Sequence, residues 1–426
     1  MFRISDEIRP LVPLYVTMFL EAVGSGLVAS IINVVARNDL GCSGTEVGII
    51  FTGYNVAQVI GSVGSGYLSD RIRRKYVLMI SLCWAAIGYI MTAFADTFVW
   101  FLVSRIFTGF CGGFSSVAIA ILSSNLPIDS LPTAIGRLGT VMSMGFAIGP
   151  LISTGISAIW PDGGHEVRRV YFFVASFVYL CACGLAFRMS RQITPSASRF
   201  LRESSGGRLS AGLIFVWISR YLATCGVAAI YVTQVLLWQD YFALPRVYLI
   251  LMTTASGLVV SVVQGLVFPV LVARVGFHTT LTAGIACIAL ANCTIAVFAN
   301  NHNFGLHFVC LLVFWTGIGC MEPGTSVAVT RHLLATIGNK KVRVHAGLAM
   351  GITSAMKYLA FLSLPATAGY LYDQYGSSMY FLPAGLASLG MGAVSVAWAT
   401  FSPTDENESN TPSNKSVADV STNNSV

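Results

Sequence analysis

The chain has 426 residues, of which 55% are hydrophobic and only 10% charged, and its formal net charge is +7. A mean hydropathy of +0.73 excludes a water-soluble globular protein, because a chain of this length cannot bury so much apolar surface. No patch of basic and aromatic residues indicates nucleic-acid binding, so the positive charge requires another explanation.

Twelve apolar segments follow one another along the chain, each long enough for a helix to cross about 30 Å of hydrocarbon. The apolar runs are continuous rather than alternating, which favours helices over a β-barrel. The predicted fold class is an all-α membrane protein with twelve transmembrane helices in two six-helix bundles. We number the spans in chain order and predict them at residues 11–36, 46–68, 76–94, 98–122, 135–159, 169–188, 210–237, 247–272, 279–299, 304–329, 346–371 and 379–401.

A polar stretch with serine, glycine and proline separates spans six and seven. It divides the chain into an N-terminal six-helix bundle (1–188), a cytoplasmic linker (189–209), a C-terminal six-helix bundle (210–401) and a disordered cytoplasmic tail (402–426). With the N-terminus in the cytoplasm, the inner loops hold most basic residues, and both termini are cytoplasmic. The positive charge is then mainly an orientation signal. The only basic residues of the outer loops are Arg37, Arg168, Arg169 and Arg246.

A charged run connects spans two and three. Gly66 is predicted to let these two spans approach closely. Asp70 is placed to accept hydrogen bonds from backbone amides at the start of a neighbouring helix, or to pair with an arginine. Such a contact would act as a latch that holds one conformation and releases in another. A simple turn rich in basic residues explains Arg71 and Arg74, but it does not explain an acid four residues after a glycine.

Three motifs resemble those of the major facilitator superfamily. The run Gly66-x-x-x-Asp70-Arg71-x-x-Arg74-Lys75 resembles its loop 2–3 motif, with Arg73 where the family usually has glycine. Arg105-x-x-x-Gly109 resembles its span-four arginine motif. The resemblance implies a secondary transporter that works by alternating access. Span five resembles the motif of the drug:proton antiporter branch through Gly136, Gly145, Gly149 and Pro150.

Small residues and Pro150 also thin and kink span five, which suits helices that slide or rock against each other. Static helix packing is the alternative explanation, but it needs only one or two such glycines. A transport role for span five is therefore predicted from the residues themselves as well as from the resemblance.

Five ionisable residues lie deep inside predicted spans: Glu21, Arg105, Arg220, Glu322 and Lys357. Glu21 lies about 15 Å into span one at 1.5 Å per residue. Each is expected to face a wet cavity or a partner, because a charge at a helix centre costs about 2.5–3.5 kcal/mol. Desolvation favours the protonated form of a carboxyl group, as a proton carrier requires, whereas a nearby cation opposes it. Glu21 is the leading proton-coupling candidate and Glu322 the second. The alternative is a structural ion pair, such as Glu21 with Arg105 or Glu322 with Lys357.

Polar residues recur at helical spacing in spans two, four and eleven, and a polar stripe in lipid must face protein or water. Three such stripes are typical of a shared aqueous path. They include Ser62, Thr108 and Thr353. The predicted substrate-cavity residues are Asn55, Gln58, Arg105, Arg220 and Lys357.

The predicted function is proton-coupled export of small organic molecules, with a small-molecule substrate, protons and the lipid bilayer as partners. No enzymatic activity, cofactor, metal or nucleic-acid partner is predicted, and a monomer is expected to suffice. The excess of cavity cations leaves open a symporter or facilitator for organic anions. A non-transporting receptor or scaffold is the alternative from another class. The substrate, the direction of transport and the choice between plasma and organelle membrane stay open.

Overall fold

In a computed structural model we describe residues 9–42, 44–126, 130–159, 165–189, 211–242, 246–298 and 303–399. Of the predicted linker and tail, only Met189 lies within these residues, so the predicted domain boundaries stay predictions. The α-helices of the described part are α1 Val12–Val34, α2 Gly44–Arg71, α3 Arg74–Ala93, α4 Phe98–Gly109, α5 Phe114–Asn125, α6 Leu131–Ile159, α7 His165–Phe187, α8 Ala211–Phe242, α9 Arg246–Val262, α10 Phe268–Val275, α11 Phe277–Phe298, α12 Phe304–Tyr375 and α13 Phe381–Ala399.

Twelve helical segments in the described part are long and apolar enough to cross a membrane, and the predicted fold class is confirmed. They correspond in order to the predicted spans. The segments are Val12–Ile32, Glu46–Arg71, Arg74–Ala93, Phe98–Asn125, Leu131–Ile159, Glu166–Phe187, Ala211–Tyr231, Thr254–Val275, Phe277–Phe298, Phe304–Leu333, Gly347–Tyr372 and Gly376–Ala399.

Span four consists of two helices, α4 and α5, where the sequence predicts a single one. The chain leaves helical geometry before Gly113, whose φ of 122° is a conformation that glycine adopts without strain. The freed backbone is satisfied by the neighbouring span, since Ser65 Oγ donates to the carbonyl of Gly112 at 3.1 Å. Irregular backbone at membrane depth is tolerated where protein surrounds it in this way.

Spans ten and eleven both lie within α12, so the chain must reverse its direction between them. A straight helix would separate Glu322 and Lys357 by about 52 Å at 1.5 Å per residue. Lys357 Nζ in fact lies 3.4 Å from Glu322 Oε1. The chain therefore turns back between them, and the two spans pack side by side.

The turn between α2 and α3 needs no glycine. Arg73 precedes α3 with φ −63° and ψ 123°, an extended conformation open to any residue. Two other helices begin with side-chain caps, because Thr97 Oγ1 accepts the amide of Trp100 at 3.4 Å and Asn303 Oδ1 accepts that of Leu306 at 3.1 Å.

Spans two and eleven make a tight contact between the two halves. A Cβ on Gly66 would lie 2.5 Å from the carbonyl oxygen of Gly347 and 3.0 Å from Cα of Gly351. The prediction that Gly66 serves the approach of spans two and three was wrong. Loop residues join spans two and three in the sequence, but Gly66 faces span eleven of the opposite half.

Spans five and eight form a second contact between the halves, and it is polar. Thr140 Oγ1 donates to the carbonyl of Ser261 at 3.1 Å, and Ser261 Oγ donates back to the carbonyl of Thr140 at 2.6 Å. Span eight contains a π-helical segment here, Val263–Val267. Such segments break regular helix geometry and frequently occur at functional sites.

Candidate functional site

Asp70 connects the end of span two to the start of span eleven. Its Oδ1 accepts the backbone amide of Gly347 at 2.8 Å, and its Oδ2 accepts that of Leu348 at 2.7 Å. Buried Arg74 lies 3.5 Å from Asp70 Oδ1 and donates to the carbonyl of Ala120 at 2.7 Å. Arg71, in contrast, is exposed and stacks on Tyr67. The carboxylate therefore joins the two halves at their predicted cytoplasmic ends, and its role as a latch remains a prediction.

Glu21 is buried in span one, with 6% of its surface exposed. Its Oε1 accepts hydrogen bonds from Ser25 Oγ at 2.8 Å and Tyr179 Oη at 3.2 Å. Among the described residues it forms no ion pair, so the predicted alternative of a Glu21–Arg105 pair is absent from this structure. Its carboxyl group is held only by neutral hydroxyls, which can serve both its charged and its protonated form.

Glu322 has the opposite environment. Arg220 Nη2 lies 2.6 Å from its Oε2, and Lys357 Nζ lies 3.4 Å from its Oε1. Arg220 also donates to Thr325 Oγ1 at 2.8 Å. The ion pair between Glu322 and Lys357, predicted as the alternative role of this acid, is thus present, and Arg220 is a second cation bound to it. Its charge is balanced on both oxygens, which favours Glu21 over Glu322 as a proton carrier.

Arg105 lies in span four, 6% exposed, with its guanidinium 4.4 Å from the ring centroid of Tyr54 and 5.9 Å from that of Tyr89. Its Nη1 is buried without a hydrogen-bond partner in the described structure. Stacking on tyrosine stabilises a cation, but no carboxylate of the described residues neutralises this one.

Span eleven links the two charged regions. Lys357 acts electrostatically on Glu21 as well as binding Glu322. The neighbouring Tyr358 interacts with both acids and with Cys111 of span four. The environments of Glu21 and Glu322 therefore adjoin each other at span eleven, in a central region between the halves.

The polar stripes are satisfied mostly by their own helices. Asn55 Nδ2 donates to the carbonyl of Phe51 at 2.8 Å, and Gln58 Nε2 donates to Tyr54 Oη at 2.7 Å. The buried hydroxyls of Ser62, Thr108 and Thr353 donate to carbonyls three or four residues earlier. These hydroxyls do not by themselves require water, so the shared aqueous path remains a prediction.

The glycines of span five divide between two neighbours. A Cβ on Gly136 would lie 2.5 Å from the carbonyl oxygen of Gln264 in span eight. Cβ atoms on Gly145 and Gly149 would instead meet the backbone of span one. Pro150 lies inside an uninterrupted α6. The first glycine of the motif therefore serves the contact between the halves, and the later ones bring span five close to the span that carries Glu21.

Several residues of the site were not predicted from the sequence. Ser25 lies four residues after Glu21, so helical spacing alone places it beside the acid. Tyr54 lies four residues before Gln58 of the span-two stripe, so helical spacing could have predicted its place as well. Tyr179 had no usable signal, because it meets Glu21 across 158 positions of sequence. Among the described residues, no group of three or more His, Cys, Asp or Glu side chains is arranged to hold a metal ion.

The family model for the Major Facilitator Superfamily matches residues 14–338. Similar proteins include multidrug resistance protein 1 of Bacillus subtilis, 23% identical over 390 residues that cover 90% of this chain and 95% of the relative. The quinolone resistance protein NorA of Staphylococcus aureus is 21% identical over 383 residues, 89% of this chain and 94% of the relative. These relatives confirm the resemblance to the drug:proton antiporter-like branch.

Two solved structures share the fold. The human organic anion transporter MFSD10 (TETRAN) superposes with a TM-score of 0.74 at 16% identity, covering 92% of this chain and 100% of that one. The proton:xylose symporter XylE superposes with a TM-score of 0.71 at 15% identity, covering 93% and 96%. Twelve spans, the matched family model and these superpositions agree: the chain belongs to the Major Facilitator Superfamily of secondary transporters.

Proposed function

We propose that this transporter exports small organic molecules in exchange for protons, and that Glu21 carries the proton. The observation behind this proposal is the contrast between the two acids at membrane depth. Glu322 is neutralised by Arg220 and Lys357, whereas Glu21 is held only by hydroxyls. An unpaired carboxyl group at membrane depth is stable when protonated and drives a rearrangement when charged. The drug-resistance relatives support export as the direction.

The proposed cycle alternates between closure on the two sides of the membrane. In the predicted orientation, the contacts of span two with eleven and of span five with eight lie in the cytoplasmic half of the protein. We therefore propose that this arrangement is the state closed on that side. Opening to the cytoplasm would separate Asp70 from Gly347 and Leu348. Binding can shift this equilibrium only through a difference in affinity between the two states.

We further propose the orientation, the surroundings and the stoichiometry of the transporter. Both termini lie in the cytoplasm, the surrounding partner is the lipid bilayer, and one copy of the chain is sufficient, since each half supplies its own side of the central region. The protein moves its substrate without a chemical reaction of its own.

Flux measurements on proteoliposomes test the role of Glu21. A panel of fluorescent organic compounds, including a tetracycline and a quinolone, is offered under an imposed pH gradient. We expect Glu21→Gln to abolish proton-driven flux while leaving folding intact. Glu166→Gln, an exposed glutamate at the start of α7, is the matched control and should keep wild-type flux. Wild-type flux in Glu21→Gln would exclude this role for the acid.

Transport of organic anions is the second candidate, and it is favoured by Arg105, a buried cation without a counter-ion among the described residues. An anion bound near Glu21 would favour its protonated form. Anion and proton would then move together, which is symport rather than exchange. Uptake that rises when protons flow in the same direction as the substrate would identify this second function, whereas opposed flow would support the first.

A further inference from the structure

We propose that Glu21 and Arg105 together form a recognition site for a zwitterionic organic substrate, with an ammonium group at Glu21 and a carboxylate at Arg105. This inference rests on the proposed transport function and names its substrate class. It starts from two opposite charges that are buried in one region and do not pair with each other.

Arg105 differs from the other buried cations of the described structure. Arg74, Lys75, Arg168 and Arg220 each have a hydrogen bond or ion pair with protein oxygen atoms. Arg105 has only aromatic faces beside it, and its Nη1 has no partner. A planar guanidinium with free N–H groups is suited to bind a carboxylate through two parallel hydrogen bonds.

Glu21 is the matching acid. Both hydrogen bonds that it accepts end on Oε1, and none is described for Oε2. One carboxylate oxygen therefore remains for a ligand. Two tyrosine rings, Tyr89 and Tyr179, lie beside the acid and in edge contact with each other at a centroid distance of 5.1 Å.

The two charged groups are close enough to act on one ligand. Tyr179 donates to Glu21 at 3.2 Å, and the Tyr89 hydroxyl lies 3.5 Å from that of Tyr179. The guanidinium of Arg105 lies 5.9 Å from the ring centroid of Tyr89. The two groups nevertheless form no ion pair with each other among the described residues, so both charges remain for a ligand to neutralise. A zwitterion would neutralise both charges at once, whereas a cation or an anion alone would leave one buried charge without a partner.

The site also fixes the sign of the coupling. The ammonium group needs Glu21 in its charged form, so a proton on Glu21 competes with the substrate. Competition for one site means that proton and substrate occupy the protein alternately, which is the condition for exchange.

Equilibrium binding to the purified full-length protein at pH 7.5 tests the inference with three matched fluorescent probes. Nε-dansyl-lysine carries both charges, dansylcadaverine only the ammonium group, and 6-(dansylamino)hexanoate only the carboxylate. We expect the wild type to bind the first probe about ten-fold or more tightly than either of the others, as one added charged hydrogen-bonded pair would produce.

The variants separate the two ends of the site. Arg105→Gln should remove the advantage of dansyl-lysine over dansylcadaverine, and Glu21→Gln should remove its advantage over the hexanoate. Arg105→Lys keeps the charge without the planar guanidinium and should retain part of the advantage of dansyl-lysine over dansylcadaverine. It also controls for misfolding of Arg105→Gln. Arg274→Gln, which removes an exposed cation, should change nothing.

Equal binding of the three probes by the wild type, including no binding of any, would overturn the inference. An Arg105→Gln variant that weakens all three probes alike would overturn it too, because a structural role predicts that result. Binding is measured without a proton gradient, so loss of probe selectivity and loss of proton-driven flux are separate failures.

Discussion

Replacing Asp70 with asparagine tests whether this carboxylate holds the two halves together. Asp70 accepts two backbone amides of span eleven, from Gly347 and Leu348, at 2.8 and 2.7 Å. An asparagine keeps one oxygen and turns an NH₂ group towards the other amide. Since each hydrogen bond to a charged group contributes about 1.5–3 kcal/mol, we expect the closed arrangement to lose about 2–4 kcal/mol. That loss raises the open-to-closed ratio by about 30- to 700-fold, because 1.4 kcal/mol is a factor of ten.

A buried reporter cysteine makes this shift measurable. Ser62 has no exposed surface, and its carbonyl lies under Gly351 of span eleven. In a background without native cysteines, Ser62→Cys should react slowly with a membrane-impermeant maleimide added from the predicted cytoplasmic side. Adding Asp70→Asn should accelerate the reaction about ten-fold or more, since the rate follows the open population.

The control is the same substitution at a carboxylate inside one half. Asp96 pairs with buried Arg168, and both belong to the N-terminal six spans. Asp96→Asn removes an acid–arginine pair without touching the contact between spans two and eleven, so the reaction rate at position 62 should stay within about two-fold of the parent. An Asp70→Asn rate equal to that of the parent, or a similar acceleration by Asp96→Asn, would refute the latch.

Two further comparisons use matched pairs. Gly66→Ala should accelerate the maleimide reaction at position 62, because its Cβ would lie 2.5 Å from a backbone oxygen and cost the closed state about 1–3 kcal/mol. Gly64→Ala should not accelerate it, because nothing lies within 4 Å of a Cβ at that position. Arg220→Met should destabilise the fold by about 1.5–3 kcal/mol in thermal unfolding, since Arg220 is 4% exposed and its loss removes the shorter, charged hydrogen bond to Glu322 and leaves only the longer contact with Lys357. Lys357→Met should lower stability by less than about 1 kcal/mol, because its side chain is 39% exposed and its contact is longer. Equal losses for the two variants would contradict this ranking.

The twelve spans were predictable because hydropathy and length are local properties of the sequence. The basic loops and the acid at position 70 were predictable for the same reason, since a charge in an apolar chain is visible without a structure. The break in span four was not predicted, although Gly112 and Gly113 mark it. Consecutive glycines are common in membrane helices, so the pair alone does not separate a break from close packing.

The partners of the buried charges could not be predicted, because pairing depends on topology across long stretches of chain. Sequence placed both Glu21 and Glu322 at membrane depth and could not decide which one is neutralised. The answer depends on Arg220 and Lys357, which reach Glu322 from spans seven and eleven. The predicted neighbour of Gly66 was wrong for the same reason. Span three follows span two in the sequence, but Gly66 packs against span eleven.

Span eleven gives the site a physical route between proton binding and closure. Lys357 is the one cation that both binds Glu322 and acts on Glu21 in the described structure. Gly347, the partner of Asp70, lies ten residues earlier, about 15 Å along the same helix. A change in the charge of Glu21 alters the force on Lys357, and a helix transmits that force to the contact at its other end. We therefore expect the proton and the latch to be coupled through one rigid element rather than through a chain of side chains.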